Sequence, residues 1–194
     1  RALKAGASLG KIFKTVSAIR KKTGIPVAFM TYYNPVLHYG LPGFFESCAR
    51  HGVDGVIIPD LPAEEAKEII DLGRKNKVST IFLAAPTSTR KRIINITKSS
   101  SGFIYYVSLT GVTGVRSKLP TELKSKVRLI KSITDKPVAV GFGVSTAAQA
   151  KEIARVADGV IVGSAIVKII GEKKDIINRV SRFVKALAKA IHNV

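Results

Sequence analysis

Six short apolar runs, each separated from the next by a stretch of helical periodicity, constrain this chain more than any other feature. The runs lie at 26–31, 53–59, 80–84, 103–107, 137–141 and 158–162. Runs of this length, apolar on both faces, suit parallel strands covered by helices. Before the first run, Leu9, Ile12, Phe13, Val16 and Ile19 recur at helical spacing within 8–23, and Gly24 ends that pattern. Further helical patterns lie near 41–51, 62–75, 88–98, 119–133 and 145–156. A short helix near 165–170 and a longer amphipathic one near 174–191 close the chain. Each strand–helix unit takes about 20 to 35 residues, the scale of a βα unit.

Alternation of this kind predicts a parallel sheet. An open doubly wound sheet concentrates its ligand at one crevice, whereas a barrel collects ligand contacts after many strands. Unusual residues follow nearly every run here, so the expected fold is α/β, a TIM-type (β/α)8 barrel with only its last six strand–helix units in this chain. Residues 1–194 are read as a single partial barrel domain. The helix at 8–23 belongs to a unit whose strand is not in the sequence. Such barrels take about 250 residues, and this chain has 194, opening on Arg1. An N-terminal piece is therefore expected.

With 46% apolar residues the chain can bury one sizeable core. No apolar run is long enough to span a bilayer, and no secretion signal opens the chain. The lone cysteine, Cys48, sits in a helical pattern beside Phe44 and Phe45, which reads as a buried inert thiol and a cytoplasmic setting. The net charge of +19 raises nucleic-acid or membrane binding. Its cations are spread along the chain without interleaved aromatics for base stacking, so they are expected to be solvated helix faces, with neither nucleic acid nor membrane as partner.

Three glycine turns stand out near the end: Gly111-Val112-Thr113-Gly114, Gly141-Phe142-Gly143-Val144-Ser145 and Gly163-Ser164-Ala165. Glycine lets backbone amides approach a ligand, and a helix N-terminus attracts anions. In barrels the loops after the last two strands commonly hold phosphate. The plainer alternative is turn glycines, with Ser145 and Ser164 as helix caps. Among carboxylates, Asp54 and Asp158 fall at strand starts, away from a barrel's ligand face, and Asp60 alone follows a strand end. Asp60 could also cap a helix starting near Pro62. His38, His51 and His192 have no metal-like spacing. Of the aromatics at strand ends, Tyr32, Tyr33, Tyr105, Tyr106 and Phe142, half are expected in the core and half on a pocket.

Taken in order, Met30-Thr31-Tyr32-Tyr33-Asn34-Pro35, Pro59-Asp60-Leu61-Pro62-Ala63-Glu64-Glu65, Leu83-Ala84-Ala85-Pro86-Thr87, Tyr105-Tyr106-Val107-Ser108 and the three glycine turns, the last running on to Ile166-Val167, make a chain-long pattern. It resembles the alpha subunit of tryptophan synthase. Tyr-Tyr-Asn-Pro, Pro-Asp-Leu-Pro and Gly-Val-Thr-Gly together carry the specificity, since glycine turns alone occur in other phosphate barrels. The resemblance implies a lyase that cleaves indole-3-glycerol phosphate to indole and glyceraldehyde 3-phosphate by a retro-aldol step. It implies phosphate binding by Gly114, Gly143, Gly163 and Ser164. It implies an indole and glycerol pocket lined by Tyr32, Ile57, Pro59, Leu83, Tyr105, Thr113 and Phe142. Asn34, Asp60 and Pro62 match the face that meets the beta subunit. That partner carries pyridoxal phosphate, so no cofactor or metal is expected in this chain. The family's catalytic Glu and Asp match no residue here and are expected upstream of Arg1. The isolated stretch is therefore expected to be inactive. Two further readings stay open: another phosphate barrel, such as an isomerase, and a catalytically incomplete barrel acting as a partner-binding or activating subunit.

Overall fold

A computed structural model describes Lys4 and residues 6–107, 121–141 and 143–194. Gly114, Thr113 and Phe142 therefore lie outside the described residues, as does the turn 111–114. The chain divides into two compact units, residues 1–82 with 98–102, and residues 83–97 with 103–194.

In the first unit the elements are α1 (Leu9–Arg20), β1 (Ala28–Met30), α2 (Tyr33–Tyr39), α3 (Leu41–His51), β2 (Gly55–Ile57), α4 (Lys67–Lys75) and β3 (Ser79–Ile81). The strands form a parallel sheet in the order β1-β2-β3, with Ala28, Gly55 and Ser79 in one register row. Ser8 caps α1, its hydroxyl accepting the Lys11 N–H. The apolar spacing read in the sequence turns Phe13 and Val16 inward, where Phe13 meets Phe29, Phe44 and Tyr39 with ring centroids 5.4, 5.9 and 5.9 Å away. Gly52 ends α3 at φ +83°, and a Cβ there would fall 2.9 Å from Arg20 Cγ. Glycine is required on both counts. Helix α2 was not foreseen from periodicity. It is one short segment with Pro35 in its first turn, a position that tolerates proline.

The second unit contains β4 (Leu83–Ala84), α5 (Arg90–Ser99) except its last two residues, β5 (Ile104–Val107), α6 (Thr121–Lys131), β6 (Val138–Gly141), α7 (Ala147–Ala154), β7 (Gly159–Ile161), α8 (Ser164–Gly171) and α9 (Ile176–His192). Its parallel sheet runs β4-β5-β6-β7. The apolar run at 80–84, expected as one strand, thus supplies two. Phe82 interrupts it because its N–H donates to Ser100 Oγ at 3.2 Å instead of entering a ladder. No helix of the described residues is long and apolar enough to cross a membrane.

The same local construction occurs once in each unit. Pro26-Val27-Ala28 and Pro137-Val138-Ala139 open β1 and β6, and Asp54-Gly55-Val56-Ile57 and Asp158-Gly159-Val160-Ile161 open β2 and β7. Asp54 accepts the Val27 N–H at 2.7 Å and pairs with Arg20 at the end of α1. Asp158 accepts the Val138 N–H at 2.9 Å and pairs with Lys131 at the end of α6, 2.7 Å away. Each carboxylate pins the start of one strand to the start of its neighbour and to the helix before it. Both acids are structural, in agreement with their reading from sequence as lying away from a ligand face. Burial alone would raise the Asp158 carboxyl. The Lys131 hydrogen bond and the Val138 N–H outweigh it and hold the group below the ordinary carboxylate range.

Candidate active site

In the second unit the ends of β5, β6 and β7 come into line, with Val107, Gly141 and Ile161 in one register row. Beyond β6 the backbone turns at Gly143, φ +71°, and enters α7. That helix is closed by its own side chains. Thr146 is the cap, its hydroxyl accepting the Gln149 N–H at 3.2 Å, while Gln149 Oε1 accepts the N–H of Ser145 at 2.9 Å and of Thr146 at 3.2 Å. Beyond β7 the arrangement is the opposite. Gly163 is the cap of α8 and offers no side chain, Ser164 opens the helix exposed, and the first turn holds no acid. The Val167 N–H reaches Gly163 O at 3.1 Å, as the first intrahelical bond. The N–H groups ahead of it are the orphan donors of the helix start. Ser145 and Ser164 are thus not the caps that the plainer reading expected, since Thr146 and Gly163 hold those positions.

The glycines of these turns differ in role. A Cβ on Gly141 would lie 2.7 Å from Ile161 Cβ and 2.8 Å from Ile161 O, so strand packing demands glycine there. Among the described residues, a Cβ on Gly163 would meet nothing within 4 Å.

Leu83 and Tyr105 are register partners on β4 and β5, next to Ala139 on β6. Tyr106 is 1% exposed and Tyr105 7% exposed, on opposite faces by the strand alternation. Burial, with Glu122 of α6 adding, pushes the Tyr106 hydroxyl up to about 12. Tyr105 and Tyr106 thus stand on opposite faces of β5, with the Glu122 charge acting on Tyr106. That separates the two tyrosines, which sequence alone left undivided.

In the first unit Ile57 ends β2 and is buried, with Pro59 half-buried beyond it, while Tyr32 is exposed after β1. Thr31 N–H donates to Ile57 O at 3.0 Å, and the Tyr33 N–H donates to Asp60, 2.9 Å from Oδ1. Asp60 therefore caps α2, a helix lying before it in sequence. The expected helix near Pro62 begins only at Lys67, and Ala66 is its cap. Asn34 and Asp60 are exposed and Pro62 is half-buried. Among the described residues Asp60 is the only carboxylate within three residues of a strand's C-terminal end, and no cluster of His, Cys, Asp or Glu could hold a metal ion.

The family model described as tryptophan synthase alpha chain matches residues 1–193. The alpha chain of Geotalea daltonii is 46% identical over 193 residues, covering 98% of this chain and 73% of that one. The alpha chain of Aquifex aeolicus is 45% identical over 192 residues, covering 98% and 72%.

The chain belongs to the tryptophan synthase alpha-chain family.

Its fold agrees. A chain of the tryptophan synthase a2b2 complex from Pyrococcus furiosus superposes with a TM-score of 0.91 at 39% identity, covering 97% of this chain and 77% of that one. A Mycobacterium tuberculosis tryptophan synthase chain gives 0.88 at 38%, covering 98% and 71%. The fold class is thus the α/β barrel of tryptophan synthase alpha chains, and the chain is a lyase of tryptophan biosynthesis. The readings as an isomerase or a non-catalytic activating subunit are not favoured, because the alpha-chain match runs nearly the whole length.

Proposed function

We propose that this chain binds indole-3-glycerol phosphate for retro-aldol cleavage to indole and glyceraldehyde 3-phosphate, with the phosphate held at the start of α8. One observation carries the placement: of the two helix starts after the last strands, α7 is closed by its Thr146–Gln149 capping box, while α8 opens on Gly163 and Ser164 with no side-chain cap among the described residues. An anion there meets unsatisfied N–H groups and the positive end of the helix dipole. Gly143 lies in the turn after the neighbouring strand, and Gly114 completes the set by the family pattern. Leu83 and Tyr105 form the indole side in the second unit. Tyr32, Ile57, Pro59, Thr113 and Phe142 are assigned to the pocket by their match to the family.

Exposed Asn34 and Asp60, with Pro62, form the face for a tryptophan synthase beta subunit, and the pyridoxal phosphate of the overall reaction belongs to that partner. The a2b2 assembly of the Pyrococcus furiosus relative supports this reading. A cytoplasmic setting follows from that chemistry.

The chain has no tryptophan, so the indole ring of the ligand is read by fluorescence without an indole background. Ser164→Asp should weaken indole-3-glycerol phosphate binding by roughly tenfold or more, because it places a fixed negative charge where the phosphate sits. Thr146→Asp, at the closed helix start, should leave binding within about threefold of the parent. Equal affinities for Ser164→Asp and the parent would remove α8 as the phosphate site.

A further inference from the structure

Helix α9 packs on α7 and α8 through the side bearing Ile176, Val180, Phe183 and Leu187. At 100° per residue, the opposite side carries Arg182, Lys185, Lys189 and His192, all exposed. None of the 17 residues of α9 is Asp or Glu. Arg179, at the edge of the packed side, pairs with Glu172. Among the described residues, Arg182, Lys185 and Lys189 have no ion-pair partner. The helix dipole accounts for Lys189 and His192 near the C-terminus, but not for Arg182 and Lys185 further back. Solvation is served better by mixed signs, and Lys185 with Lys189, four residues apart, is a like-charge pair that costs helix stability. An anionic partner would relieve that repulsion.

We propose that the outer stripe of α9 binds the phosphate backbone of nucleic acid without reading its sequence. At 1.5 Å rise per residue, Arg182 to Lys189 spans about 10 Å, within reach of successive phosphates. The isoelectric point of 10.3 and net charge of +19 supply long-range attraction, and the stripe supplies the place of contact. An anionic bilayer fits less well, because Phe183 and Leu187 pack within the unit and Ile177 and Val184, the exposed large apolar residues of α9, are too few to anchor it in lipid. An acidic protein fits less well too, because a lysine-rich face without aromatics is what protein interfaces are depleted in. The sequence reading discounted nucleic acid because the cations are spread along the chain. Folding lines three of them up on one acid-free helix side.

The test is fluorescence anisotropy of a labelled duplex of about 20 base pairs with the full 194-residue chain and two variants of equal charge loss. One is R182Q/K185Q/K189Q. The other is K21Q/K22Q/K75Q, at exposed positions elsewhere. Glutamine keeps helix propensity, and circular dichroism checks that both variants fold. For the stripe variant, the slope of log affinity against log salt should be shallower than the parent's by about 2.7. Between about 50 and about 200 mM salt, the parent then loses about fortyfold more affinity than the stripe variant. The second variant should keep most of the parental slope. If the triple variant fails to fold, K185Q alone should lower the slope by about 0.9. Equal loss in both triple variants, no duplex binding at about 50 mM salt, or displacement by polyglutamate as readily as by unlabelled duplex would each overturn the proposal.

Discussion

At the scale of single residues, environment decides what each reactive group can do. Cys48 is fully buried in α3, and burial pushes its thiol up to about 12. A thiolate is the reactive form, so Cys48 should resist a disulfide reagent at neutral pH in the folded chain and react on denaturation. Rapid labelling of the folded chain would contradict this. The inert thiol was legible in the sequence, because Phe44, Phe45 and Cys48 fall on one helix side. Asp158 behaves differently. Its folded pKa lies below the ordinary value, so its contribution is complete above the unfolded carboxylate range and is lost as pH falls through the folded pKa. Asp158→Asn should lower stability at pH 7 by about 1 kcal/mol, a figure already reduced for partial solvent exposure. In a thermal melt that is about 2 to 4 °C. The gap between variant and parent should close as pH falls through the folded Asp158 pKa, below the ordinary carboxylate range, and a gap that persists in strong acid would show that the carboxylate charge is not the source.

At the scale of elements, the two strand-end glycines of the second unit make opposite forecasts. Gly141→Ala drives a methyl into Ile161 of the adjoining strand, whose backbone cannot move without breaking the β6–β7 ladder. It should cost about 2 kcal/mol or more in denaturant unfolding. Gly163→Ala meets no described atom within 4 Å and should cost less than Gly141→Ala, within about 1 kcal/mol of the parent. Reversed costs would mean that the β6–β7 approach is looser than its geometry states. Nothing in the sequence separates these glycines, because each follows an apolar run and precedes a helix. The helix starts were likewise equivalent on paper. Serine stands near both, yet the capping role goes to Thr146 at one and to a glycine backbone at the other.

At the scale of the whole molecule, the family supplies the reaction and the residues set its limits. General acid–base chemistry needs a proton acceptor and a donor at the reacting atoms. The strand ends described here offer Asp60, and its carboxylate is engaged by the Tyr33 N–H. We propose that the family's catalytic pair is not among these residues. The 194-residue polypeptide assayed alone should release indole from indole-3-glycerol phosphate no faster than the uncatalysed background, and turnover above it would place an acid and a base among these residues. The fold class could be read from the chain because strand runs, helical spacing and stop signals act over a few neighbouring residues. Five of the six runs each became one strand, and the helical patterns returned as helices with ends within about five residues of those expected. What could not be read is which distant groups meet. Arg20 finds Asp54 across 34 positions, Asp60 caps a helix 27 positions before it, and Phe82 gives its N–H to Ser100 and splits a run between two sheets. Such pairings exist only once burial has brought remote backbone and side chains within about 3 Å of each other, and no local spacing records that distance.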